Sequence, residues 1–208
     1  MTSAVRPDGP GRAGAGPAVI LASASPRRRE LLARLCDSFT VRPSAADESL
    51  EPGAVAHAVV RLALDKARAV AADLPSGVVL GADTVVLIDG EPLGKPASPA
   101  HARAMLERLR GRVHDVITGV AVVDAATGST VSTSVVSRVL MAAYGDHVID
   151  AYVRSGEPLD KAGGYAIQGL GGALIVGLVG SYSNVVGLPL AATATLLARF
   201  GVRLRVGE

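Results

Sequence analysis

The sequence predicts an α/β fold with three layers, in which helices cover both faces of a mixed, twisted sheet and a cleft separates two lobes. Apolar runs of strand length alternate along the chain with segments whose apolar residues recur every three or four positions. Two long β-branched runs, 113–123 and 130–140, flank a Thr127-Gly128 turn and predict neighbouring strands. With 208 residues, the chain has the length of one domain, which we place at residues 18–208.

The N-terminal segment differs in composition from the rest of the chain. Residues 1–17 are dominated by Gly, Pro and Ala and have no helical or strand period, so we expect a flexible extension. No apolar run of the kind found in secretion signals occurs there. The single cysteine, Cys36, excludes an intramolecular disulfide and fits a reducing compartment. We therefore expect a cytoplasmic protein.

The charge balance argues against a broad polyanion-binding surface. Lys and Arg number 21 and Asp and Glu 19, which gives a net charge of +2, and only 3% of residues are aromatic. A nucleic-acid partner is therefore not expected. The 37 residues from 162 to 198 carry no charge, but eight glycines and Pro189 interrupt them, so they predict no membrane-spanning helix.

The first third of the chain predicts alternating strands and helices. Val19–Leu21 is a short apolar run typical of a buried first strand. Ser25-Pro26 then opens a helix, because proline suits the first helical position. A strand is expected at 39–42 and a helix at 54–72, where apolar residues recur at three- and four-residue steps.

The rest of the chain continues this alternation. Residues 78–80 and 84–88 predict two strand segments, and Asp89-Gly90 predicts the turn of a hairpin. Ser98 caps the next helix, which ends near Gly111. After the two long strands, the predicted elements are a helix at 146–154, a buried strand at 173–179 and a last helix at 190–200.

A polar segment between the first strand and helix is the first candidate site. A helix start offers unpaired N–H groups and the positive end of the helix dipole, which together favour a phosphate. Ser23 and Ser25 add hydroxyls, and Arg27 and Arg28 add fixed charge. An ordinary N-cap followed by solvated arginines explains the same residues equally well.

Four ionisable residues are further candidates. Asp47-Glu48 can supply oxygen ligands for Mg²⁺ or Mn²⁺, although such a pair is more often a solvated loop. Lys66 continues the apolar stripe of the second predicted helix, so it either extends to the surface, which is the commoner outcome, or points into a polar pocket. Asp83, within Gly81–Thr84, is either a turn residue or a metal ligand or general base that faces a cleft at a strand end.

Two later residues complete the candidates. Lys95 lies on a Gly-Lys-Pro loop near the same hairpin. Gln168 has an amide that can read a base edge or can be a satisfied core group. The four histidines show no zinc-ligand spacing, and neither a nucleotide P-loop nor a serine nucleophile elbow is present.

Together, these motifs make the chain resemble the Maf family. In order along the chain they are LASASPRRRELL (21–32), DE (47–48), RLALDKA (61–67), GADT (81–84), GKP (94–96), GRVHDVITG (111–119), EPLDKAGGYAIQG (157–169) and SYSNVVGLPL (181–190). The resemblance covers about residues 18–200. The family, first named for inhibition of septum formation, comprises nucleoside triphosphate pyrophosphatases. They cleave between the α and β phosphorus atoms with the help of a divalent cation.

The resemblance implies a role for each matched residue. Asp83 would be the catalytic base that activates water and, with Glu48, would hold Mg²⁺ or Mn²⁺. The implied substrate-binding residues are Ser23, Ser25, Arg27, Arg28, Lys66, Thr84, Lys95 and Gln168.

The resemblance also implies a substrate. Arg27, Thr84 and Gln168 match the branch of the family that prefers dTTP and UTP, so the expected activity is house-cleaning hydrolysis of such nucleotides, including modified ones, to the monophosphate and pyrophosphate. The alternatives are a pyrophosphatase of broad specificity and a nucleotide-binding regulator of septum formation. A homodimer is compatible with either.

Overall fold

The computed structural model describes residues 16–46 and 54–205. The extension predicted at 1–17 lies almost wholly outside the described residues. Glu48 lies outside them as well, so its predicted role as a metal ligand stays a prediction.

Seven strands form one sheet in the order β2-β1-β3-β5-β6-β7, with β4 paired to another part of β3. Their bounds are β1 Val19–Leu21, β2 Thr40–Val41, β3 Val78–Ile88, β4 Glu91–Leu93, β5 Val113–Asp124, β6 Thr130–Met141 and β7 Ile175–Val179. β1 pairs in parallel with β2 and β3, and the other pairs are antiparallel. The mixed sheet of the predicted α/β/α fold is therefore confirmed.

Helices cover both faces of this sheet. Their bounds are α1 Pro26–Leu32, α2 Val55–Ala71, α3 Pro99–Leu109, α4 Asp146–Arg154, α5 Tyr182–Val186 and α6 Leu190–Ala198. α2 packs on one face against β3 and β5. On the opposite face, one apolar cluster joins β1 and β3 to α1 and α6, and a second joins the far end of β3 to α3 and α4. These two clusters form the two lobes.

α2 lies unusually close to the sheet because two glycines face it. A Cβ atom on Gly81 of β3 would lie 2.1 Å from the carbonyl oxygen of Ala63, and one on Gly119 of β5 would lie 2.3 Å from that of Val59. Any other side chain at these positions would force α2 away from the sheet. The two glycines therefore set the distance between α2 and the strands.

Several predicted bounds need correction. The segments at 78–80 and 84–88 are one continuous strand, β3, so Asp83 lies within a strand rather than in a turn or after a strand end. The strand predicted at 173–179 starts at Ile175, and it is an edge strand rather than a buried one, with Val176 64% and Val179 73% exposed. The last helix ends at Ala198.

Residues 157–174 form three short 3₁₀ turns that periodicity did not predict. Among the described residues, no helix is both long and apolar enough to cross a bilayer.

Candidate active site

A cavity of about 570 Å³ opens at an interruption in the sheet. β1 pairs with β3 as far as Leu80, and β4 pairs with it from Val86 onward. Between these points neither strand covers the β3 edge, and the cavity lies against it. All the predicted site residues within the described part of the chain line this cavity, namely Ser23, Ser25, Arg27, Arg28, Lys66, Asp83, Thr84, Lys95 and Gln168.

The position of Asp83 follows from the unequal lengths of neighbouring strands. β3 continues beyond the end of its parallel partner β1, so residue 83 is internal to β3 and still borders the gap that β1 leaves. Successive residues of a strand point to opposite faces. Asp83 therefore points towards α2, and Thr84 points towards the lobe that contains α1 and α5.

Lys66 points into the cavity rather than to the surface, which reverses the commoner expectation. Its ammonium group donates a hydrogen bond to Asp83 Oδ1 at 2.7 Å, and the residue is 4% exposed. The close approach of α2 at Gly81 and Gly119 places this lysine at the strand. Asp83 and Lys66 form a largely buried ion pair, and such pairs are costly to disrupt from one side.

The turn before α1 combines an N-cap with a polar cavity wall. Ser25 Oγ accepts a hydrogen bond from the backbone N–H of Arg28 at 3.4 Å, so the capping interpretation is correct. Ser23 Oγ accepts from Arg28 Nη1 and from the Ser25 N–H, both at 3.3 Å. With both acceptor positions of Ser23 in use, its hydroxyl proton remains available as a donor.

Thr84 lies in a buried polar network. Its Oγ1 is 3.1 Å from Arg28 Nη2 and 3.0 Å from the Oγ1 of Thr118 on β5. Thr118 is fully buried, and its hydroxyl also donates to the backbone oxygen of Asn184 at 3.1 Å. Sequence reasoning missed Thr118, because a threonine in a strand is ordinary.

The opposite wall of the cavity is built from turns that Glu157 holds together. Its carboxylate accepts hydrogen bonds from the N–H groups of Leu170 at 3.1 Å and Gly171 at 3.0 Å and from the Tyr152 hydroxyl at 2.9 Å. Burial alone would raise the pKa of Glu157, but these donors lower it below its usual value. Gln168, half-buried on this segment, lines the cavity and is not a core amide.

Lys161 is a cavity-lining cation that sequence reasoning did not single out. Its ammonium group contacts the Asp160 carboxylate and donates to the Glu157 backbone oxygen at 3.1 Å. Asp160 also lies 3.7 Å from Arg27 Nη1, across the cavity mouth. The charges crowded at the start of the 157–169 motif were the signal that could have indicated this lysine.

A buried His114–Tyr165 pair supports the same wall from below. His114 Nε2 lies 2.6 Å from the Tyr165 hydroxyl, and the rings meet edge to face. Burial lowers the pKa of His114 to about 4, so the ring is neutral at physiological pH. Tyr165 lies three residues before Gln168 and lines the cavity.

Comparison with known proteins places these features in one family. The profile described as Maf-like protein matches residues 18–200. This chain belongs to the Maf family. Its members include the dTTP/UTP pyrophosphatase of Moorella thermoacetica, 55% identical over 188 residues that cover 88% of this chain and 95% of the relative.

Two further relatives carry the same name. The dTTP/UTP pyrophosphatase of Myxococcus xanthus is 53% identical over 89% of this chain and 94% of its own length. That of Anaeromyxobacter dehalogenans strain 2CP-C is 52% identical over 90% of this chain and 96% of its own length.

Proposed function

We propose that this chain is a nucleoside triphosphate pyrophosphatase that hydrolyses dTTP and UTP, including modified forms, to the monophosphate and pyrophosphate. Relatives that are about half identical over most of their length carry this activity in their names. The substrate is a free nucleotide rather than a nucleic acid, and the chain works in the cytoplasm to remove unwanted pyrimidine nucleotides.

The observation that carries this proposal is the charge distribution of the cavity. Five basic side chains line it, with two acidic ones, in a chain whose net charge is only +2. The basic residues are Arg27, Arg28, Lys66, Lys95 and Lys161. A triphosphate is a compact polyanion, and clustered cations of this kind recognise it without a basic surface elsewhere.

In the proposed reaction, Asp83 accepts a proton from a water molecule as the water oxygen attacks the α phosphorus. The bond between that phosphorus and the bridging oxygen breaks, and pyrophosphate leaves with the negative charge. Lys66, 2.7 Å from Asp83, orients that carboxylate before the attack. The cations of the cavity stabilise the charge that develops on the leaving group.

Asp83 also fits one half of a divalent-cation site. Mg²⁺ and Mn²⁺ favour carboxylate oxygens and are commonly held by one or two carboxylates together with substrate phosphates. Among the described residues, no cluster of three or more metal-ligating side chains occurs. We propose Asp83 and Glu48 as the protein ligands, and the ion, when bound, neutralises phosphate charge.

Specificity would come from the wall that carries Gln168. A uracil or thymine edge offers carbonyl acceptors and one N–H donor, which a glutamine amide can match with its own N–H₂ and carbonyl. Arg27 faces the same space from the α1 side, where it lies near Asp160. The two residues would hold the base between them.

A homodimer is the proposed assembly. β7 is an edge strand with two exposed valines, Val176 and Val179, and an apolar edge of this kind can pair with a second copy. Light scattering of the purified protein should give a mass near 42 kDa, roughly twice the chain mass, and Val176→Lys should give the monomer mass. A monomer in the unsubstituted protein would contradict the proposal.

The activity is tested by incubating the protein with each common ribo- and deoxyribonucleoside triphosphate and Mg²⁺ or Mn²⁺. We expect dTTP and UTP to be cleaved at least about tenfold faster than dATP or GTP. Equal rates for purine and pyrimidine substrates would favour the broad-specificity alternative, and no hydrolysis of any triphosphate would contradict the proposed function.

A further inference from the structure

We infer that Thr118 is a positioning residue, which fixes the Arg28 guanidinium in the cavity through Thr84 and anchors it to the backbone of the α5 segment. This inference rests on the proposed function for the role of Arg28 in substrate binding. The chain of contacts itself follows from the geometry of the described residues.

The two ends of this series of hydrogen bonds determine the direction of each bond within it. The Asn184 backbone oxygen can only accept, so the single hydroxyl proton of Thr118 points to it. The proton between the two threonine hydroxyls, 3.0 Å apart, therefore belongs to Thr84. Thr84 Oγ1 is then left as an acceptor for Arg28 Nη2, which can only donate.

A second contact ties the same guanidinium to the same segment. Arg28 Nε donates to the backbone oxygen of Gly187 at 2.9 Å. Gly187 ends α5, the helix that contains Asn184. The Nε and Nη2 atoms of Arg28 are thereby tied to one short piece of backbone, directly and through the two threonines, and Nη1 donates to Ser23 Oγ. Together these contacts leave the guanidinium plane little freedom to rotate.

Asn184, at the far end of this series of hydrogen bonds, is itself held in place. Asn184 is fully buried, and its side-chain amide donates to the Val116 backbone oxygen at 3.0 Å and to Ser137 Oγ at 2.9 Å. These bonds fix α5 to β5 and β6. The two donated bonds define the orientation of the Asn184 amide, whose side-chain oxygen has no hydrogen-bond partner among the described residues.

This arrangement gives Thr84 a different role from direct contact with the nucleotide. Its hydroxyl proton is committed to Thr118, so it cannot donate to a base or phosphate while the chain is intact. We infer that Thr84 acts by accepting from Arg28. A side chain without a hydroxyl at 84 would remove the acceptor of Arg28 Nη2, and one without a hydroxyl at 118 would leave the Thr84 hydroxyl unanchored. In either case the guanidinium would keep its bonds to Gly187 and Ser23 but would be held less firmly, whereas serine at 118 would preserve the arrangement.

The test compares Thr118→Val with Thr118→Ser, and Thr193→Val serves as the matched control. Thr193 is also fully buried, but its hydroxyl has no hydrogen-bond partner among the described residues. Thr118→Val should lower kcat/KM for dTTP about tenfold, mainly through KM, because one ordered hydrogen bond is lost. Thr118→Ser and Thr193→Val should stay within about twofold of the unsubstituted protein.

A double-substitution cycle shows whether Thr118 acts through Arg28. In an Arg28→Lys background, Thr118→Val should cause little further loss of kcat/KM, because lysine has no planar guanidinium for Thr84 to hold in one orientation. Additive losses, or equal losses for Thr118→Val and Thr193→Val, would overturn the inference.

A measurement without substrate separates this inference from the proposed function. The ¹⁵N-labelled guanidinium of Arg28, assigned through Arg28→Lys, should give a slowly exchanging Nε–H signal in the unsubstituted protein and in Thr118→Ser. In Thr118→Val that signal should exchange about tenfold faster. An unchanged signal would overturn the positioning role even if dTTP is cleaved, and a protein that cleaves no nucleotide could still support it.

Discussion

The two walls of the cavity are built on different physical principles. The wall with Asp83, Lys66 and Thr84 consists of a helix packed closely on long strands, and backbone contacts at two glycines set its geometry. The wall with Gln168 consists of turns, which side-chain hydrogen bonds to Glu157 hold together. The difference indicates a division of labour, in which the proposed chemistry lies on the wall of packed backbone (the rigid wall) and the proposed base selection on the wall of turns (the turn wall).

The largest expected effect is at the rigid wall. Asp83→Asn should lower kcat about 10²- to 10⁴-fold, because the amide cannot take the proton from water. It also removes the carboxylate beside a buried ammonium group, so the free energy of unfolding should fall by about 1–3 kcal/mol. Turnover and denaturant unfolding, measured on the same samples, check the two effects.

A matched variant separates loss of chemistry from loss of stability. Lys66→Met with Asp83→Asn removes both charges, so the unfolding free energy should recover relative to Asp83→Asn alone. Activity should stay low. Restored turnover in the double variant would remove Asp83 from the mechanism.

The next effect is a dependence of stability on pH, and it comes from His114, which supports the turn wall. Burial lowers the pKa of His114 from 6.5 to about 4. A histidine whose pKa is lower in the folded than in the unfolded state contributes its full share of folding stability at pH values above its unfolded pKa. This contribution is lost as pH falls from about 6.5 towards 4. About 3 kcal/mol of stability should disappear across that window.

The comparison with a surface histidine isolates this contribution. In His114→Gln the slope of unfolding free energy between pH 7 and pH 4 should be shallower than in the unsubstituted protein. His57→Gln, at an exposed position on α2, is the matched surface control. The same steep slope in His114→Gln would show that another group carries the acid sensitivity.

Close packing of the rigid wall should show in Gly119→Ala. The added methyl group would meet the Val59 carbonyl oxygen at 2.3 Å, so α2 must move away from β5. We expect a loss of about 1–3 kcal/mol in unfolding free energy, with kcat reduced as Lys66 shifts relative to Asp83. Gly177→Ala, on the edge strand β7 where the nearest atom to the added Cβ is Leu140 Cβ at an ordinary 3.6 Å, should cost less stability. Equal losses in chemical denaturation would show that close packing is not the cause.

The smallest expected effect is on the turn wall. Glu157→Gln keeps the shape of the side chain but weakens its acceptance from Leu170 and Gly171. KM for dTTP should rise about tenfold while kcat changes little. Glu91→Gln, on the exposed hairpin, is the control. A fall in kcat with an unchanged KM would mean that this wall acts on the chemical step.

The sequence predicted local structure better than it predicted the surroundings of single side chains. The bounds of α4 and the start of α1 agree with the structure, because caps and apolar periods are local signals. The apolar stripe alone favoured a surface position for Lys66, since such a stripe reads the same whether its lysine reaches solvent or a pocket. The family resemblance implied the pocket, where the structure has it. The position of Asp83 inside a continuous strand was not predicted. The gap that Asp83 borders depends on where β1 ends, and the residues around Asp83 do not encode that end.

The turn wall was the harder part to predict. Residues 157–174 have no helical or strand period, and Glu157 acts through backbone N–H groups that leave no mark in the sequence. Thr118 is an unremarkable strand residue until its neighbours Thr84 and Asn184 are placed beside it. The sequence singled out Gln168 as an amide that can read a base edge, and the family resemblance implied its role. The turns that hold it became visible only in the structure.

The most direct test of the central claim is the position of the bond that is cleaved. Hydrolysis of dTTP in ¹⁸O-enriched water, followed by mass spectrometry of both products, reports which phosphorus the water attacked. Attack at the α phosphorus predicts one ¹⁸O atom in the monophosphate and none in the pyrophosphate. Label in the pyrophosphate, or release of the nucleoside diphosphate and phosphate, would contradict attack at the α phosphorus.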